Sequence, residues 1–153
     1  MTMVFTAEEI TLFKQRGFLV KPAFFTAAAI RRISDWLDRL SQGSGPAGTE
    51  ARYYETSPVN GRDILVRVEH FLGADHPEVT ALLLSPGVMT AAAGLLGEPA
   101  VLFKEKVNYK LPGCRADKLH QDQAAGWNAY CDFFLTMALN MIHQQMRYEW
   151  MKN

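Results

Sequence analysis

In the stretch "KLHQDQAAGW", running from Lys118 to Trp127, His120 and Asp122 stand two positions apart. On an extended backbone, residues i and i+2 project from the same face, so an imidazole and a carboxylate placed this way would converge on one point. One histidine and one carboxylate are two of the three ligands of a 2-His-1-carboxylate set, which holds non-haem Fe(II) and leaves coordination positions open. A His-x-Asp triplet also arises by chance, and an aspartate beside a histidine is commonly a hydrogen-bonded pair without a metal. The residues alone leave both readings open, and a third ligand would have to come from elsewhere.

The chain that must position this pair has 153 residues, 48% of them hydrophobic, which suits a single domain over 1–153 with a core of its own. Sixteen basic and sixteen acidic side chains cancel, and no block of like charge stands out. There is no electrostatic footprint for nucleic acid or an anionic membrane. The opening "MTMVFTAEEI" lacks a basic segment followed by an apolar one. No apolar run is expected to reach the roughly 18 to 20 residues of a membrane span. Cys114 and Cys131 match neither a redox nor a zinc spacing and read as free thiols, so a cytoplasmic protein is expected.

Thr6 followed by Glu9 is a capping-box signature, so a helix should run from Ala7 to Arg16 and stop at Gly17. "GFLVKP" reads as a short strand. Thr26 can cap a second helix that buries Ile30, Ile33, Trp36, Leu37 and Leu40 and ends at Gly43. "GSGPAGTEARYYETSPVNG" reads as a long surface loop and "RDILVRVEHF" as a strand. "HPEVTALLLS" and "PGVMTAAAGLLG" read as two short helices, the second capped by Ser85 with Pro86 at its first position. Beyond Pro99, "AVLFKEKVNYKL", "KLHQDQ" and "CDFFLTMALN" read as strands, with "PGCRAD" as a turn. Helices first and strands later predict an α+β chain whose helices cover a mostly antiparallel sheet.

The run "LLGEPAVLFKEKVNYKLPGCRADKLHQDQAAGW" resembles the phytanoyl-CoA dioxygenase family of Fe(II)- and 2-oxoglutarate-dependent oxygenases. The opening helix before "GFLV", the "RVEHF" segment and the "SPGVMTAAAGLLGEP" helix follow the order used by that family. The likeness covers roughly residues 5 to 140 and is most specific from Leu102 to Asp122. It implies a double-stranded β-helix, or jelly roll, with N-terminal helices packed outside. It also implies His120 and Asp122 as iron ligands and 2-oxoglutarate as cosubstrate in the hydroxylation of a small molecule, with release of succinate and CO₂. In "FKEKVNYK", alternation puts Lys104, Lys106, Asn108 and Lys110 on one face, and Asn108 and Lys104 are candidates to contact the cosubstrate's carboxylates. Lys106 and Lys110 read as solvated. Trp127 is a candidate pocket wall that excludes water, though core packing explains it equally well. His70 and His76 read as ordinary surface or core histidines; "YYE" at Tyr53 to Glu55 and "RVE" at Arg67 to Glu69 are candidates by the resemblance to line a substrate entrance, but the single sequence does not lift them above structural roles.

The likeness ends near Asn140, so residues 1–140 resemble the N-terminal part of the oxygenase domain and 141–153 form an atypical tail. His143 and Arg147 are not expected to be the distal ligand and the cosubstrate clamp, because they follow Asp122 too soon and lack the preceding turn motifs. A jelly roll needs about eight strands, more than this chain supplies. The expectation is therefore an incomplete member with weak metal binding and little or no turnover, and open sheet edges through which it could self-associate. The alternative is a non-catalytic member acting as a binding protein. A cupin-like metal protein would bring more histidines than are present.

Overall fold

The computed structural model describes residues 5–43, 50–116, 118–120, 125–130 and 135–139. Helix α1 spans Ala7–Arg16. The Thr6 hydroxyl accepts from Glu9 N, the Glu9 carboxylate accepts from Thr6 N, and Gly17 closes the helix in the left-handed region. Helix α2 spans Ala27–Gln42 behind Thr26 and buries Ala29, Ile33, Trp36 and Leu40. Both helices lie where the capping residues place them.

"GFLVKP" is not a strand. Lys21 turns back to pair with Glu9, Leu19 packs with α1 in the apolar cluster around Phe5, and Val20 stays 75% exposed. Apolar residues alone do not make a strand where no neighbouring backbone takes up their N–H and C=O groups. The opposite correction applies to the expected long loop, which holds strand β1, Ala51–Thr56.

Strand β2, Asp63–Glu69, is central in a three-stranded antiparallel sheet, with β1 on one side and β3, Lys106–Asn108, on the other. Tyr53 is opposite Arg67 while Tyr54 is opposite Leu65, so Val66 is an extra residue in β2. This bulge lets Leu65 and Val68 both enter the same core despite their odd spacing. Helix α3 spans Pro77–Leu83, and α4 spans Pro86–Leu96 with Ser85 accepting from Val88 N as its cap. The stretch Pro77–Leu96 has the length and apolar composition of a membrane span, which amends the expectation that no run does. It is divided into these two helices at Leu84 and Ser85.

One core joins Trp36, Leu40, Leu65, Val68, Phe71 and Val79 between α2, the sheet and α3. Val68 is fully buried. Tyr109, just past β3, packs on this core and donates its hydroxyl to Leu37 O at 3.1 Å, and burial pushes its phenol well up from the usual range. A second core joins Phe5, Ala91 and Leu95 between α1 and α4. The observed order interleaves helices and strands, so the expected succession of helices and then strands does not hold. Of the strands expected after Pro99, only Lys106–Asn108 pairs among the described residues. Residues 118–120 and 135–139 are irregular, and the remainder of "KLHQDQ" and of "CDFFLTMALN" lies outside the described residues.

Candidate functional site

The sheet has one face on the core and one turned away from it. Arg52, Val68 and Val107 are paired across the three strands, and Val68 and Val107 belong to the core. The next rows, Tyr53–Arg67–Asn108 and Ala51–Glu69–Lys106, therefore point to the opposite face. Lys104, two residues before β3, reaches the same face. The structure thus brings Lys104 and Asn108 to one side, as alternation predicts, and adds Tyr53, Arg67 and Glu69 beside them.

Glu69 is the centre of this face. Its side chain is only 4% exposed, and Oε1 lies 3.1 Å from Lys104 Nζ and 3.2 Å from Arg67 Nε. The Tyr53 hydroxyl donates to Oε2 at 3.4 Å, and the Arg67 guanidinium stacks 4.3 Å from the centroid of the Tyr53 ring. Burial alone would raise the Glu69 carboxyl. The hydrogen bond from Lys104 and the charges of Arg67, Lys104 and His70 outweigh it and hold the group below the ordinary carboxylate value. Arg67 Nε is buried, and its 3.2 Å approach to Glu69 Oε1 is a charge contact rather than a well-formed hydrogen bond. Sequence reasoning gave Tyr53, Arg67 and Glu69 structural roles. The available signal was their parity on two alternating stretches, which becomes informative only once the register sets the strands side by side.

The turn at Pro112 and Gly113 anchors the segment that leads to His120. The Ser57 hydroxyl donates to Gly113 O at 2.9 Å, and Arg115 N donates to Glu55 Oε1 at 2.6 Å, so the far end of the β1–β2 hairpin holds this segment down. Ser57 is buried at 3% exposure. His120 itself is exposed, and its Nδ1 lies 2.7 Å from Lys118 O. A carbonyl can only accept, so Nδ1–H donates to Lys118 O and this bond orients the ring. Asp122 lies outside the described residues, as do His143 and Arg147. Among the described residues no group of three His, Cys, Asp or Glu side chains could hold a metal. Imidazole is a donor type of non-haem iron sites, so an exposed His120 oriented through Nδ1 fits such a site by residue type. Trp127 is half-buried in a short 3₁₀ turn, Trp127–Ala129, with its ring edge-on to Phe103 at 5.7 Å.

His76, read from sequence as ordinary, joins three elements. Trp36 Nε1 donates to its Nδ1 at 3.2 Å, and its Nε2 donates to Glu50 Oε2 at 3.0 Å. Arg52 closes the group on Glu50 Oε1, whose side chain is 2% exposed. These bonds account for Glu50 and His76 structurally, tying the start of β1 to α2 and α3. Two concavities, of about 440 Å³ beside α1 and α4 and about 230 Å³ beside this cluster, are lined by neither His120, Asn108 nor Lys104.

A 2-aminoethylphosphonate dioxygenase from the uncultured bacterium HF130_AEPn_1 is 34% identical to this chain over 137 residues, covering 90% of the chain and 52% of that relative. A methylphosphonate hydroxylase of Gimesia maris is 32% identical over 127 residues, 82% of the chain and 47% of the relative. The dioxygenase lolE1 of Epichloe uncinata is 28% identical over 122 residues, 78% of the chain and 46% of the relative. The chain spans about half the length of the curated relatives it matches. No family model matches it, and no solved structure does. All three relatives carry names of dioxygenases or hydroxylases, in agreement with the coarse part of the resemblance read from the residues.

Proposed function

We propose that this chain belongs to a non-haem Fe(II)- and 2-oxoglutarate-dependent dioxygenase that hydroxylates a small organophosphonate. The observation that carries this reading is the match of 90% of the chain to a protein named 2-aminoethylphosphonate dioxygenase, with a second relative named for methylphosphonate. In this reading the core is part of a jelly roll, and the face that bears Asn108 and Lys104 lines its interior. His120 and Asp122 would hold the metal, and the Lys118 carbonyl orients the His120 ring through Nδ1. When bound, iron(II) supplies the open coordination positions at which oxygen is activated. Lys104 and Asn108 bind the carboxylates of 2-oxoglutarate, one as a cation and one as an amide donor. Trp127 and Phe103, packed edge to face, exclude water beside them. In the proposed reaction one oxygen atom enters the substrate as a hydroxyl and the other enters succinate, with release of CO₂. A cytoplasmic location goes with this chemistry and with the free thiol of Cys114.

The test is anaerobic titration with iron(II) and 2-oxoglutarate, read by the visible absorption of the ternary complex. The wild-type chain should develop a weak band, reached only at excess iron(II), and His120→Ala should lose it. Identical spectra from the two proteins would overturn the reading.

A binding role is favoured by one other observation. Among the described residues β1 and β3 form the sheet's edges, while Val101, Leu102, Phe103, Leu119 and Tyr130 are exposed. In that second reading the chain associates with itself through an edge, and concentration-dependent sedimentation would reveal it.

A further inference from the structure

We propose that Arg67 receives the anionic headgroup of the substrate and that Glu69 is the residue that positions it. The choice of a phosphonate as occupant rests on the oxygenase reading. The site itself rests on the geometry of the sheet face.

Two contacts fix the guanidinium. The Tyr53 ring, 4.3 Å away, sets its plane, and Glu69 Oε1, 3.2 Å from Nε, sets its rotation within that plane. Because Nε is the nitrogen beside Glu69, the anion is assigned to the end of the fork, formed by the two terminal nitrogens. That pair of parallel donors matches two oxygens of a phosphonate. The side chain as a whole keeps 41% exposure, so the group is held but reachable.

The charge balance also favours an anion. Arg67 and Lys104 both converge on Oε1 of the single buried carboxylate of Glu69, and Lys106 is opposite Glu69 in the register. The face therefore carries surplus positive charge although the chain as a whole is neutral.

Lys104 and Arg67 flank Glu69, and Asn108 is directly opposite Arg67 in the register. The two anions of the reaction would then sit side by side, with the cosubstrate on Lys104 and Asn108 and the substrate headgroup on Arg67. Glu69 keeps the two cations apart and in place.

The test is isothermal titration of the 153-residue chain with methylphosphonate and, separately, with 2-oxoglutarate. Arg67→Lys keeps the charge and removes the fork. It should weaken methylphosphonate by about 10- to 100-fold, while 2-oxoglutarate affinity and the far-ultraviolet spectrum stay unchanged. Tyr53→Phe keeps the stacked ring and should retain most of the phosphonate affinity. Undiminished methylphosphonate binding in Arg67→Lys would overturn the assignment, as would equal losses for both anions or an absence of methylphosphonate binding to the wild type. If phosphonate affinity ignores Arg67 while the iron and 2-oxoglutarate absorption persists, the residue assignment fails alone. If that absorption is missing, the oxygenase reading fails.

Discussion

A buried carboxylate between two cations makes stability depend on pH in a direction that can be worked out. The folded structure holds Glu69 below its ordinary value, so its ionised form is favoured more in the folded than in the unfolded chain. The resulting stability is fully present above the ordinary carboxylate value of 4.5 and is lost as pH falls through the lower folded value. Glu69→Gln leaves Arg67 and Lys104 facing a neutral amide and should cost about 1 to 3 kcal/mol at neutral pH. The gap from wild type should narrow on acidification, as read by urea denaturation at a series of pH values. A gap that stays constant throughout would show that acid sensitivity resides elsewhere. At this scale the sequence revealed Lys104 and Asn108, because alternation within one strand is enough to pair them. It did not reveal Glu69, Arg67 or Tyr53 as their neighbours, because cross-strand partners depend on a register that no single strand encodes.

Helices were more legible here than strands, of which only those in "RDILVRVEHF" and "FKEKVNYK" are readable, and the difference is physical. Thr6 with Glu9, Thr26, and Ser85 with Pro86 each mark a helix start through groups only a few residues away. A strand is completed by a distant backbone, so "GFLVKP" has the pattern without the pairing, while Ala51–Thr56 pairs inside a stretch whose composition reads as loop. The turn at Gly113 shows how such distant contacts are made. Its φ of 89° favours glycine, and a Cβ there would meet Ser57 Oγ at 3.0 Å. Gly61 has φ of 72° but nothing within 4 Å of the same position. Gly61→Ala should therefore cost only backbone strain, about 1 to 2 kcal/mol, whereas Gly113→Ala should cost more because it also pushes on the buried Ser57. Matched thermal denaturation of the two variants measures the difference. Equal losses would mean that the Ser57 contact yields without cost and does not hold the turn that leads to His120.

At the scale of the whole molecule, most of the buried apolar side chains among the described residues fall into two clusters that share no buried residue. The Trp36–Val68 cluster supports the sheet and its polar face, and the Phe5–Leu95 cluster joins the two outer helices. The chain changes cluster at the break between α3 and α4. Val79 and Leu83 serve the first core, Ala91 and Leu95 serve the second, and Ser85 starts the new helix between them. If the division is energetic as well as geometric, Val68→Ala should cost about 1 to 3 kcal/mol and Leu95→Ala about 2 to 5 kcal/mol. The double variant should then lose their sum to within about 0.5 kcal/mol. Equilibrium denaturation of the four proteins in the cycle decides the matter. Non-additivity well beyond that margin would mean that strain crosses the Ser85 break and that the α1–α4 layer helps to hold the sheet. Additivity would leave the polar face of the sheet supported by its own core alone, so that damage to the outer helices lowers total stability without displacing Glu69, Arg67 or Lys104.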